Sequence, residues 1–134
     1  MKIESREKEK EKATILSLPG DLVYEGRDEL ENQFKVSCDN AHHVILDFAH
    51  TRYISAKALG IMAFYLKNFR DRQKGLKLIH VNENINKLLV ITGLLKLIEI
   101  FETEDAAIAS LGHQVGKLEK MLLWSKENLT QEYP

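Results

Sequence analysis

Hydrophobic and polar positions along this chain switch repeatedly between two spacings. Ala13-Thr14-Ile15-Leu16-Ser17-Leu18 is a short β-type run that Pro19-Gly20-Asp21 stops with turn residues. From Tyr24 to Cys38 the apolar positions Leu30, Phe34 and Cys38 recur every four residues among charged neighbours, the spacing of one helical face. Asp39 and Asn40 break that helix. Val44-Ile45-Leu46-Asp47-Phe48 is then a nearly continuous apolar run of strand length, suited to a strand covered on both faces as in parallel sheets. Ala58, Leu59, Met62, Tyr65, Leu66 and Phe69 mark a second helical face, and Arg70 to Gly75 close it with cations and then a glycine. The spacing predicts a strand from Leu76 to Val81, a short helix from Asn82 to Thr92 packed through Ile85, Leu88 and Leu89, and a last short strand from Leu97 to Phe101. Thr103 is placed to cap a further helix, with Glu104 and Asp105 in its first turn, where the dipole favours acids.

Strands alternating with helices at these lengths predict an α/β fold with right-handed crossovers and a mostly parallel sheet. The charge-dense stretch from Glu4 to Lys12 reads as a solvated edge strand or a frayed end. No internal repeat is evident, and with two prolines no linker divides the chain. Beyond Leu111, Gly112 and Gly116 interrupt the pattern, yet Val115, Leu118, Met121, Leu122 and Leu129 still fall roughly along one helical side. The expected organisation is a domain over 1–112 with a C-terminal helical extension over 113–134.

Composition narrows the classes. A chain of 134 residues is one core's worth and buries about two-thirds of its unfolded surface without staples. Nineteen basic against 20 acidic residues, a net charge of -1, leave no excess for neutralising phosphates, so no nucleic-acid partner is expected. Cys38 is the single cysteine, which excludes an internal disulfide framework and a multi-cysteine zinc site and fits a reducing compartment. The first seven residues have no apolar signal core behind them and no run approaches the ~20 apolar residues of a membrane span, so a cytoplasmic protein without membrane insertion is expected.

The common catalytic templates are absent: no phosphate-binding Gly-x-x-x-x-Gly-Lys-Ser/Thr loop, no Gly-x-Gly-x-x-Gly turn and no Gly-x-Ser-x-Gly elbow. His42, His43, His50, His80 and His113 show no ligand spacing on a shared helix, and adjacent His42 and His43 point to opposite faces if both belong to the strand. Asp47, in an apolar strand, is either a general base with a raised pKa or a hydrogen-bonded carboxylate near the strand's C-terminal end. Cys38 reads as a small apolar contact rather than a nucleophile. Neither catalytic residues, a metal nor a cofactor is expected, and the chain is read as no enzyme.

One segment stands out, Arg52-Tyr53-Ile54-Ser55-Ala56-Lys57-Ala58-Leu59-Gly60, where the buried strand hands over to the long helix. In an open parallel sheet this edge is the usual place for ligands or partners, and a helix N-terminus there offers unpaired N–H groups and positive potential. Ser55 is a candidate N-cap, accepting from the N–H of Lys57 or Ala58 at a gain on the order of 1 kcal/mol, and equally a candidate regulatory hydroxyl. Lys57 opposes the helix dipole in a first turn, which points to a cation kept for a partner.

At these residues the sequence resembles the STAS domains (sulfate transporter and anti-sigma-factor antagonist). The likeness runs from about Ala13 to Leu111. Leu18-Pro19-Gly20-Asp21-Leu22 resembles the family's Gly-Glu/Asp-Leu turn; Val44 to Phe48, Tyr53-Ile54 and Ala58-Leu59-Gly60 resemble its buried strand, hydrophobic pair and helix start. Gly75-Leu76-Lys77-Leu78, Thr92-Gly93-Leu94 and Glu102 to Ala106 are similar to its later signposts. The resemblance implies a four- to five-stranded, mostly parallel sheet with an edge N-terminal strand, four helices mainly on one face, and a non-catalytic regulatory role. In the family's anti-sigma-factor antagonists the loop usually reads Asp-Ser-Ser/Thr-Gly-Leu-Gly, and an anti-sigma factor with a histidine-kinase-like fold phosphorylates the first serine. Laid on that pattern, Ser55 takes the aspartate position, Ala56 the phosphoacceptor, Lys57 the next hydroxyl residue and Ala58 the first glycine. Ala56 has no oxygen to accept phosphate; Ser55, one residue early, is the candidate for a substitute acceptor, an alternative to a loop that carries no phosphate. The implied partner is an anti-sigma factor or histidine-kinase-like serine kinase, met through Asp21, Tyr53, Ser55, Ala56, Lys57, Ala58 and Gly60. The alternative is a scaffold subunit of a transporter or larger signalling complex. The cluster Met121 to Trp124 is then either a docking helix or homodimer contact, or it folds back on the domain.

Overall fold

The computed structural model of the chain describes residues 3–22 and 27–111. Five strands form one sheet in the order β1-β2-β4-β6-β7: β1 (Glu4–Lys8), β2 (Ala13–Ser17), β4 (His43–Asp47), β6 (Leu76–Ile79) and β7 (Glu99–Phe101). β1 runs antiparallel to β2 and every other pairing is parallel, so the charged first strand lies at an edge, as its sequence predicts. A two-residue parallel pair, β3 (Asp21–Leu22) with β5 (Tyr53–Ile54), sits apart from the sheet.

Three helices complete the crossovers: α1 (Arg27–Asp39), α2 (Ala56–Asp71) and α3 (Glu83–Thr92). Their apolar stripes pack with Leu16, Val44, Leu46, Leu76 and Leu78 into the main core. Phe34 lies at its centre, stacked on Tyr65 at 4.8 Å and edge-on to Phe69 at 5.9 Å, which locks α1 to α2. The opposite sheet face carries Ala13, Ile15, Ile45 and Ile79, covered by Ala107 and Leu111 of a helix, α4, described over 104–111. Thr103 caps it by accepting from the Ala106 N–H at 3.1 Å. Helices therefore lie mainly, though not wholly, on one face. The expected extension over 113–134, with its dimer or docking alternatives, lies outside the described residues, as does the predicted helix start at Tyr24.

Several boundaries differ from the sequence expectation for local reasons. α2 is not ended by Gly75: the left-handed residue after it is Gln73, at φ 60°. The third helix instead ends on a left-handed glycine, Gly93 at φ 80°. The strand predicted to reach Val81 stops at Ile79, because His80 turns left-handed at φ 57°. The segment from Leu94 to Lys96 is a 3-10 turn, and β7 begins at Glu99. Only His43 of the adjacent histidines is in the strand; His42 stays outside it, with Nδ1 3.0 Å from Thr14 Oγ1.

His43 braces the lower edge of the sheet, its buried Nδ1 accepting the Gly75 N–H at 2.8 Å. Burial, then the nearby charges of Lys74, Lys77 and His42, pull its pKa from 6.5 down to about 4. The unfolded chain binds this proton more readily, so the neutral ring's contribution is complete above pH 6.5 and is lost as pH falls towards 4. Urea titrations are expected to show a pH-dependent loss of up to about 3 kcal/mol over that window. His43→Gln, which offers an oxygen to Gly75 without titrating, is expected to flatten that part of the slope; an unchanged slope refutes the assignment.

Candidate functional site

The C-terminal edge of the parallel strands gathers the segment singled out in the sequence. Phe48 leaves β4, the Thr51 N–H donates to the Phe48 carbonyl at 3.0 Å, and Arg52 and Tyr53 both donate to the Gly20 carbonyl, at 2.7 and 3.2 Å. These bonds set β5 beside β3 and bring Asp21 opposite Tyr53. Asp21 thus joins residues thirty positions later, and Arg52, which opens the segment singled out in the sequence but is not among its expected partner contacts, lies 3.9 Å from its carboxylate. Both side chains are exposed, so this pair is worth little in stability and offers its charge to solvent.

Ser55 caps α2 as predicted: its hydroxyl accepts the Ala58 N–H at 3.1 Å, from an extended backbone. Ala56, Lys57 and Gly60 are exposed in the first turns, and Tyr53 is 52% exposed just before them. Ala58 is the exception among the seven candidate contacts. Its methyl faces the core at 2% exposure, because position 58 belongs to the apolar stripe of α2, so its side chain offers a partner nothing. Together, the exposed residues form a surface of fixed charge, one aromatic ring and bare helix start.

Behind it, Glu31 of α1 and Lys57, Gly60, Ile61, Phe64 and Tyr65 of α2 line a groove of about 290 Å³, with Phe64 largely exposed. Gly60 needs no special backbone, and a Cβ built there meets nothing within 4 Å. Gly60→Ala is therefore expected to raise stability by about 0.8 to 1 kcal/mol through helix propensity, read as a higher thermal midpoint. A drop would show that the bare position is required inside the chain.

The remaining candidates resolve plainly. Asp47 is the hydrogen-bonded carboxylate, accepting the Ala49 N–H at 2.9 Å and lying 2.8 Å from His80 Nδ1. Asn82 ties the same edge together: Nδ2 donates to the Thr51 carbonyl at 2.8 Å, and Oδ1 caps α3 by accepting the Ile85 N–H at 2.9 Å. Burial pushes the Cys38 thiol above its ordinary pKa, opposite to what a thiolate nucleophile needs. Among the described residues no group of three or more His, Cys, Asp or Glu is placed to hold a metal, and no helix is long and apolar enough to cross a membrane.

Comparison with known proteins matches this architecture. The model of the STAS domain matches residues 4–107. Among solved structures, the chain is similar to an anti-sigma factor antagonist from Mycobacterium paratuberculosis, at 14% identity and TM-score 0.72, covering 82% of this chain and 92% of that one. It is similar to an anti-sigma-factor antagonist (STAS) domain protein from Planctomyces limnophilus, at 14% identity and TM-score 0.70, over 81% and 96%. A third likeness is to the Bacillus cell fate determinant SpoIIAA in its phosphorylated form, at 14% identity and TM-score 0.65, over 81% and 98%.

Proposed function

This chain belongs to the STAS domain family, and we propose from that premise that it is a non-catalytic regulatory module docking a protein partner through the exposed start of α2. The partner class is an anti-sigma factor or serine kinase of histidine-kinase-like fold, the class named for the family's antagonists and suggested by the structural likeness to them. On this reading the protein works in the cytoplasm, in control of transcription or signalling. The contact residues are Asp21, Tyr53, Ser55, Ala56, Lys57 and Gly60, with Arg52 added by its place beside Asp21. Ser55 spends its hydroxyl on the helix cap, and Ala56, exposed at the first position of α2, is a methyl where the family carries its modifiable oxygen. That pairing is the observation that carries the reading: docking here depends on shape and fixed charge rather than on a phosphoryl switch.

The test is a titration calorimetry series with each histidine-kinase-fold anti-sigma factor of the host. Wild-type protein is expected to bind one of them, and Lys57→Glu and Tyr53→Ala, both at exposed positions, are expected to weaken that binding at least tenfold. Equal affinity for all three proteins removes this surface from the reading, and failure of every such factor to bind removes the partner class.

A further inference from the structure

The end of the molecule opposite the docking loop carries the densest exposed apolar cluster among the described residues. Val90, Ile91, Leu95 and Leu97 all lie open to solvent within eight positions, at the C-terminus of α3 and in the 3-10 turn after it. Ile91 is 80% exposed, so it projects from the surface rather than lining a groove. Scattered exposed aliphatics are ordinary, but four within eight positions, on a helix end and the turn packed against it, mark an interaction site.

Cations surround it. Lys87 precedes Ile91 by one helical turn and Lys96 separates Leu95 from Leu97. Arg70, at the end of α2, donates to the Leu97 carbonyl at 3.3 Å. Arg70, Lys74 and Leu97 share the lining of a cavity of about 270 Å³. Among the described residues, none of Arg70, Lys74, Lys87 and Lys96 has a carboxylate within ion-pairing distance, whereas Arg6, Lys8, Arg52 and Lys77 each do. Glu99 lines the same cavity but is paired with Lys77 at 2.7 Å, so in a chain of net charge -1 the unpaired charges beside the apolar projection, among the described residues, are the four cations.

We infer that this corner is a peripheral contact for an anionic lipid bilayer: the aliphatic cluster enters the headgroup region while the four cations face lipid phosphates. Apolar area plus attraction to anionic lipid is the combination that holds proteins at an interface without spanning it. A second copy of the chain is a poor occupant, because pairing the patch with itself sets like charges against each other. Geometry also leaves both ends usable. α2 has 16 residues and so separates Ser55 from the corner by about 24 Å, which keeps the docking loop facing away from the bilayer. The inference stands whether or not the docking reading does.

Co-sedimentation with vesicles of phosphatidylglycerol and phosphatidylcholine, against phosphatidylcholine alone, tests it. Binding is expected to be at least tenfold tighter to the anionic vesicles and to weaken in high salt. Ile91→Gln/Leu97→Gln and Lys74→Gln/Lys96→Gln, checked as folded by circular dichroism, are each expected to lose about tenfold, and excess inorganic phosphate is expected to leave binding intact. Indifference to lipid charge, or unchanged binding by both variants, overturns the inference. So does release by phosphate, which assigns the corner to a small anion, or no sedimentation, which leaves it to a protein partner.

Discussion

Phe34→Ala is expected to cost about 3 to 5 kcal/mol, a large fraction of what a domain of this size has in reserve. The ring is fully buried between Tyr65 and Phe69, so removing it opens a void at the seam of two helices where stacked and edge-on contacts leave little room to collapse. Val36, on the same helix and half-exposed, supplies the control: Val36→Ala is expected to stay within about 0.5 kcal/mol. Urea denaturation of both variants reads the difference directly. A loss below about 1 kcal/mol for Phe34→Ala would mean that the α1–α2 seam repacks and is not a rigid support for the proposed docking face.

The second large effect is a gain. Ala56→Ser is expected to convert a loop that accepts no phosphate into one that a histidine-kinase-like serine kinase of the host modifies to completion, visible as one added phosphoryl group in the intact mass. The site favours the product: Ala56 is exposed at the first position of α2, where free N–H groups and the dipole stabilise an anion, and Lys57 adjoins it. Phosphate would add about -1.5 to -2 charges to the docking surface, so partner affinity is expected to change at least tenfold on modification. Wild-type protein carrying phosphate on Ser55 would sink the idea of a mute switch. A partner kinase that binds Ala56→Ser but never modifies it would show that the loop, and not only its missing hydroxyl, has diverged.

Where sequence reading succeeded, the information was local. Leu30, Phe34 and Cys38 declare one helical face by spacing alone, and all three are buried. The run at 44–48 announces a strand covered on both faces, and the structure places helices on each side of it. Ser55 was recognisable as a cap because capping is settled within three residues, and its bond to the Ala58 N–H is present.

Where it fell short, the deciding partner lay far along the chain. Nothing near Asp21 announces Tyr53 or Arg52, since a two-residue strand has no periodicity to detect. The motif places Ala58 among the contacts, but its depth is set by which way α2 is turned against the core. Val90, Ile91, Leu95 and Leu97 differ little in residue type from the buried Leu89 and Leu94 beside them, and only the way α3 and the turn after it are set against the core separates the two groups. From the chain alone came the alternation of strands and helices and the cap, because each depends on neighbours a few bonds away; that Ala56 stands where relatives carry a hydroxyl is what the family resemblance implies. The register of Asp21 against Tyr53, the approach of Arg52 to Asp21, and the gathering of bare aliphatics with cations at the other end came only with tertiary structure, because proximity and exposure are properties of what packs against a residue and not of the residue itself.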